Sequence, residues 1–163
     1  MKRRKIISIV FLHLIVIHAI LNIIHLFGSN FGHPLFNLLQ NFPTWSQVVI
    51  LGIIDTMSYL VISLIYARFY HDRKGLYLVI EWVVIIFALV VLAIYAIVYF
   101  LSLNFYSRDI MLVYAMFNPW YGTFMIKLPD TGLYSLWWLI STITPSIGIY
   151  IGARLGLRKE VEI

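Results

Sequence analysis

Long apolar runs alternate with short polar segments along this 163-residue chain. A helix needs roughly 20 apolar residues to cross the hydrocarbon core of a bilayer. Four runs reach about that length, over residues 6–27, 48–67, 76–103 and 133–153. The pattern predicts an all-α, polytopic membrane protein that forms a single domain of four transmembrane helices.

The composition indicates that lipid is the solvent for much of the chain. Hydrophobic residues make up 62% of it and charged residues only 12%, whereas soluble domains carry about 25% charged residues. A chain this short cannot bury so much apolar surface in one core, because small domains bury a smaller share of their surface. We therefore expect the lipid bilayer to be its first partner.

Lysine and arginine are distributed unequally between the two sides of the predicted bundle. One side carries Lys2, Arg3, Arg4, Lys5, Arg68, Arg73, Lys74, Arg154, Arg158 and Lys159, and the other only Arg108 and Lys127. Cytoplasmic loops are enriched in these residues, so both termini are predicted to be cytoplasmic (N-in/C-in) in a bacterial plasma membrane. Because the basic residues flank apolar runs, the net charge of +5 does not indicate nucleic acid as a partner.

The segment 110–126 is apolar enough to resemble a fifth span, but Asn118 and Pro119 interrupt it. Proline removes a backbone donor and clashes with the preceding turn. A fifth span would also move the basic residues after 153 to the outer side. We therefore predict an interfacial or re-entrant segment between the third and fourth spans. A second interfacial segment is predicted over residues 33–42, with these apolar side chains facing lipid: Leu35, Phe36, Leu38, Leu39 and Phe42.

Polar side chains inside the spans predict an outer polar layer. His18, Asn22 and His25 share one face of the first helix, with Asp55 at a similar depth in the second span and Ser141 and Thr142 in the fourth. Counting depth predicts that Asp55 pairs with His18 or Asn22. Such a group is either a proton or ligand path or an interhelical hydrogen bond that only holds the bundle together, and the sequence leaves both open.

A second, inner layer of charged groups is predicted near the basic side of the membrane. It contains His13, Arg68, Glu81 and Arg154, with Glu81 expected to pair with one of the other three. His13 lies about 140° around the helix from His18, which assigns it to a different surface. A charge one turn from the interface can extend to water, so a structural role is favoured here.

Three glycines repeat every four residues on the last span, at Gly148, Gly152 and Gly156. Small residues at this spacing let two membrane helices approach closely. The stripe fits a helix of the same chain or a helix of another subunit equally well. Pro145, in the same span, is expected to kink the helix beside several hydroxyl groups.

No catalytic, cofactor or metal signature is present in the sequence. The chain has no cysteine, no phosphate-binding glycine loop and no nucleophile motif, and no span other than the first contains a histidine to share a haem or metal ion. We therefore predict neither cofactor nor enzymatic activity. A membrane enzyme that acts on lipid through Asp55 is the least favoured class.

The preferred hypothesis from the sequence is a small membrane protein that acts through helix packing, as an accessory or regulatory subunit or as a homo-oligomer. Its basis is the glycine stripe and the lack of catalytic motifs. The alternative is a component of a transporter or channel for a proton or small solute, with Asp55 and His18 lining its path.

Overall fold

The computed structural model of the protein describes residues 3–28, 34–39, 41–104 and 138–158. These residues are almost entirely helical and contain no strand, which confirms the all-α class for the described part of the chain. The helices are α1 (Arg3–Gly28), α2 (Pro34–Leu39), α3 (Thr44–Phe69), α4 (Arg73–Asn104) and α5 (Trp138–Leu157). The segment 110–126, predicted to be interfacial or re-entrant, lies outside the described residues, as do residues 133–137 of the fourth predicted span.

Three of the described helices are long and apolar enough to cross a membrane, over Arg3–His25, Trp45–Phe69 and Arg73–Asn104. Their outward surfaces carry large apolar side chains, for example Leu12, Val61 and Leu89, each at least half exposed. A water-soluble protein of this size does not leave such continuous apolar faces uncovered. These apolar faces, together with helix length and composition, indicate a membrane-embedded protein.

The turn between α3 and α4 explains why one long helix ends and the next begins within three residues. Tyr70 takes an extended backbone conformation after Phe69. Asp72 then caps α4, since its Oδ1 accepts a hydrogen bond of 2.9 Å from the Gly75 N–H and its carbonyl accepts one from Leu76. An aspartate before the first helical residue is among the strongest helix-start signals.

The most extensive helix contact is between α3 and α5, followed by α4 with α5 and α1 with α4. The backbones of α1 and α3 make few close contacts and meet instead through long side chains. The buried apolar cluster draws on all four long helices, including Leu14 of α1, Phe87 of α4 and Ile149 of α5. In lipid such packing is stabilised by van der Waals contact rather than by exclusion of water.

The glycine stripe accounts for the close approach of α3 and α5. A Cβ at Gly148 would collide with the Thr56 carbonyl oxygen, one at Gly152 with the Leu60 carbonyl oxygen, and one at Gly156 would lie 2.7 Å from the Leu64 carbonyl oxygen. The stripe therefore packs against α3 of the same chain. α5 continues as a helix through Pro145.

One end of the bundle, which we call the basic end, contains the start of α1, the end of α3, the start of α4 and the end of α5. The Arg73 guanidinium donates a 2.9 Å hydrogen bond to the Gly156 carbonyl, which joins the start of α4 to the end of α5. Arg3 and Gly75 line one groove, which places the start of α1 there as well. A cation at the carboxyl end of a helix also complements the helix dipole.

The short helix α2 occupies the middle of the predicted interfacial segment 33–42. Leu38 is exposed, whereas Leu39 is 6% exposed and packs inward. The segment was expected to direct both leucines toward lipid, so that expectation is wrong for Leu39. Adjacent positions on a helix are about 100° apart and rarely share an environment.

Candidate functional site

Each of the three histidines of α1 meets a polar side chain of α3. His13 Nδ1 lies 2.8 Å from the Tyr66 hydroxyl, and His18 Nδ1 lies 2.5 Å from the Tyr59 hydroxyl. His25 Nδ1 lies 3.5 Å from Asp55 Oδ1. We call these six residues the α1–α3 seam. It extends about 18 Å along α1 from His13 to His25, more than half of the roughly 30 Å hydrocarbon core.

Helical spacing explains why the α3 members of the seam point the same way. Asp55, Tyr59 and Tyr66 are separated by four and seven residues, and side chains at these intervals share a helix face. The sequence pattern identifies this face, but the pairing of its phenols with the histidines of α1 depends on how the two antiparallel helices are aligned. Tyr59 and Tyr66 are therefore site residues that the sequence places on the face of Asp55 but does not assign to a partner.

His18 occupies the middle of the seam and uses both ring nitrogens. Its Nε2 lies 3.1 Å from Asn22 Nδ2, and its ring stacks on Tyr59 and meets the edge of Phe87. When Asn22 donates to Nε2, Nδ1 carries the proton and donates to Tyr59. In the other tautomer Nε2 carries the proton and donates to the oxygen of a flipped Asn22 amide, while Nδ1 accepts a hydrogen bond from the Tyr59 hydroxyl.

Asp55 is 4% exposed and joins three helices. The Thr144 hydroxyl of α5 donates a 2.5 Å hydrogen bond to Asp55 Oδ2, and His25 of α1 faces Oδ1. A buried carboxyl group needs such partners, because burying it unpaired is costly. Thr144 is the contribution of α5 to the site, whereas Ser141 and Thr142 were the residues predicted there from the sequence.

The expected pairing of Asp55 with His18 or Asn22 is wrong. Asp55 lies opposite His25, which is seven residues beyond His18 and three beyond Asn22 on α1. The count assumed that apolar runs begin and end at equal depths in both helices. The structure sets the alignment by contact between helices, and the His18–Tyr59 pair fixes it.

The two predicted α5 residues have different surroundings from Asp55. The Thr142 hydroxyl is buried and donates 2.8 Å to the Leu139 carbonyl within its own helix. Thr142 is two positions from Thr144, which directs it to another side of α5. The side chain of Ser141 lies outside the described residues.

The predicted inner layer separates into two groups. Glu81 pairs with Arg154, and the Arg154 guanidinium lies 4.6 Å from the centre of the Tyr77 ring. His13 does not join that layer but bonds to Tyr66. It therefore shares the α3-facing surface with His18, contrary to the expectation. Arg68 is exposed.

The basic-end side of the seam is partly open. His13 is exposed, and its ring meets Tyr70 edge-on at 6.4 Å. Tyr70 follows the span of α3, and burial, followed by the nearby carboxylate of Asp72, raises the pKa of its phenol. That phenol therefore stays protonated at ordinary pH. The other side of the seam is covered, since His25 is 2% exposed.

Within the described residues, no group of three or more His, Asp or Glu side chains is placed to hold a metal ion. Asp55 with His25 and Thr144 offers one carboxylate, one imidazole and one hydroxyl, an arrangement suited to holding and passing a proton. The chain matches no family model, no curated protein and no solved structure.

Proposed function

We propose that this protein conducts protons along the α1–α3 seam, as a small proton channel or as the proton-handling part of a carrier. The observation that carries the proposal is the pairing of all three α1 histidines with α3 partners, His13 with Tyr66, His18 with Tyr59 and His25 with Asp55. Ionisable groups in membrane helices are costly and commonly mark proton relays.

The chemistry of the pairs supports proton transfer. An imidazole releases a proton from one nitrogen while it accepts another on the second, and a phenol hydroxyl both donates and accepts. His18 has a polar partner on each nitrogen. A change of tautomer at His18 therefore moves a proton from one side of the ring to the other without moving the helix.

Ser63 supplies a polar group in the stretch of α3 between Tyr59 and Tyr66. It is 1% exposed, and its hydroxyl has no hydrogen-bond partner among the described residues. A buried hydroxyl without a partner is unfavourable. In the proposed function Ser63 connects the His18–Tyr59 pair with the His13–Tyr66 pair, directly or through a water molecule.

The proposal includes four spans, with both termini on the cytoplasmic side of a bacterial plasma membrane. α5 is suited to lipid because its outward residues are apolar. Those residues are Ile143, Ile147, Ile151 and Leu155, whereas Thr142, Thr144 and Ser146 are buried. Its 20 residues span about 30 Å, and α1 starts at the same end of the bundle as α5 ends.

An accessory or homo-oligomeric role was predicted from the glycine stripe. In the structure Gly148, Gly152 and Gly156 pack against α3 of the same chain. They therefore offer no free surface to a partner helix, and proton conduction is the better-supported proposal.

The decisive experiment compares Asp55→Asn with the wild-type protein in liposomes that contain a pH-sensitive dye. A potassium gradient with valinomycin drives protons inward. Asparagine keeps the shape of the side chain and an oxygen that accepts the Thr144 hydroxyl bond, but it cannot take up a proton. We expect flux in the wild type to fall to the level of empty liposomes in the variant.

The matched control is Glu81→Gln, the same chemical change at a half-exposed carboxylate of the basic end, for which we expect flux close to wild type. Size-exclusion chromatography and thermal unfolding in detergent test whether Asp55→Asn folds. Wild-type flux no greater than that of empty liposomes, or full flux in a folded Asp55→Asn variant, would contradict proton conduction.

A further inference from the structure

A groove of about 240 Å³ lies between α1 and α4 at the basic end of the bundle. Its lining combines one cation with apolar side chains and a glycine: Arg3, Ile6, Gly75, Leu78 and Val79. Ile6 and Val79 form a buried floor, whereas Leu78 is 68% exposed. The groove therefore has a charged mouth and an apolar wall that faces outward.

The exposed face of α4 extends this arrangement in both directions along the helix. Lys74, Leu78 and Trp82 are spaced four residues apart and share one face. Lys74 is exposed at the first turn of α4, and Trp82 is 55% exposed two turns deeper. Tryptophan prefers the level of the lipid headgroups and ester groups. A cation, an apolar residue and a tryptophan thus follow one another with increasing depth.

The charges at the groove mouth favour an anion. Arg3 and Lys74 provide two positive charges, against one carboxylate at Asp72, and that carboxylate accepts the Gly75 N–H at 2.9 Å. The adjacent Arg4 and Lys5 of α1 are exposed as well. A zwitterionic headgroup gains little net attraction from such a site, whereas an anionic one is attracted by each basic side chain near the surface.

We propose that this groove binds one anionic phospholipid, with its phosphate between Arg3 and Lys74 and an acyl chain against Leu78 and Trp82. The site lies on the α1–α4 side of the bundle and uses none of the α1–α3 seam residues. It does not depend on proton conduction, and either proposal can fail without the other.

The test measures lipid binding by native mass spectrometry of the full chain released from nanodiscs that contain equal amounts of phosphatidylglycerol and phosphatidylcholine. We expect one phosphatidylglycerol to remain bound in preference to phosphatidylcholine. The double variant Arg3→Gln with Lys74→Gln should lower that preference by about fivefold for each charge removed. Arg68→Gln with Arg158→Gln removes the same charge from α3 and α5 and should leave the preference intact.

A second measurement, thermal unfolding in detergent with added lipid, covers the case in which a variant folds poorly. Phosphatidylglycerol should raise the unfolding temperature of the wild type and of the Arg68, Arg158 control but not of the Arg3, Lys74 variant. Equal binding of both lipids, or equal loss of preference in the two double variants, would overturn the proposal. The proposal would also be overturned if inorganic phosphate raised the unfolding temperature as much as phosphatidylglycerol does, because the site would then bind a free anion.

Discussion

The Nδ1 atom of His18 and the hydroxyl oxygen of Tyr59 lie 2.5 Å apart in the middle of the bundle. Tyr59 is 1% exposed and His18 8% exposed, so no bulk solvent competes for this bond. The pair joins α1 to α3, whose backbones make few close contacts, and it aligns the other two pairs of the seam.

Removal of the Tyr59 hydroxyl by Tyr59→Phe should therefore weaken both stability and proton flux. The ring and its packing remain, but His18 Nδ1 loses its partner in a buried site. Interhelical hydrogen bonds in membranes contribute on average about 0.6 kcal/mol and at most about 1.7 kcal/mol. We expect a loss of free energy of unfolding in that range, measured by denaturation in mixed micelles.

Tyr99→Phe is the control for this change, since Tyr99 stacks on Tyr95 in α4, away from the seam. It should alter neither quantity. Wild-type stability and wild-type flux in Tyr59→Phe would show that the short contact with His18 has no energetic or functional role.

Thr144→Val should destabilise the protein by about 1–3 kcal/mol, because the Asp55 carboxyl group loses its hydroxyl donor while it stays buried. Valine has nearly the same shape as threonine, so packing changes little. The matched control is Thr142→Val, the same substitution at a buried position two residues away. The Thr142 hydroxyl bonds only to a carbonyl of its own helix.

Unfolding of the two valine variants in the same detergent gives a direct comparison. A larger loss in Thr142→Val than in Thr144→Val would contradict the view that Asp55 depends on Thr144.

Gly152→Ala should lower the stability of the single chain. The added methyl group would collide with the Leu60 carbonyl of α3, a backbone atom that cannot rotate away. Overpacking of this kind costs about 1–3 kcal/mol. Thermal unfolding measures the stability of the variant, and size-exclusion chromatography measures its particle size. The structure predicts a lower unfolding temperature with an unchanged particle size.

Ile151→Ala is the neighbouring control, because Ile151 is partly exposed on the outward side of α5 and its truncation should have a smaller effect. A change of particle size in Gly152→Ala at unchanged stability would instead indicate that the glycine stripe joins separate chains.

Single cysteines introduced into this cysteine-free chain should report the proposed topology. In intact cells, a membrane-impermeant maleimide should label Asn41→Cys, which precedes α3 at the end opposite the basic end. Arg4→Cys and Arg158→Cys should react only after the membrane is permeabilised. Labelling of Arg158→Cys but not Arg4→Cys from outside would place the two termini on opposite sides and exclude four spans.

The apolar runs predicted the helices well because lipid imposes a simple rule on sequence. A segment must be long and apolar to cross the hydrocarbon core and must satisfy its own backbone hydrogen bonds as a helix. Asp72 could likewise be read as a helix start, because a cap acts within one turn. These are local properties, and the described helices confirm that three apolar segments are long enough to span a membrane.

The partners of the polar groups could not be predicted in the same way. The residue types of the site were visible in the sequence, with His18, His25 and Asp55 all named from it. Whether Asp55 faces His18 or His25 depends on a shift of about two helical turns between α1 and α3, and hydropathy is nearly unchanged by such a shift. Only contact between the helices decides it.

The sequence by itself therefore determined that this is a helical membrane protein and which few residues are polar inside its helices. The tertiary structure decided that the glycine stripe of α5 is covered by α3 and that three histidines of α1 align with Tyr66, Tyr59 and Asp55. The physical reason is that helix formation in lipid depends on properties within a segment. Helix alignment depends instead on the shapes and hydrogen bonds of side chains far apart in the chain.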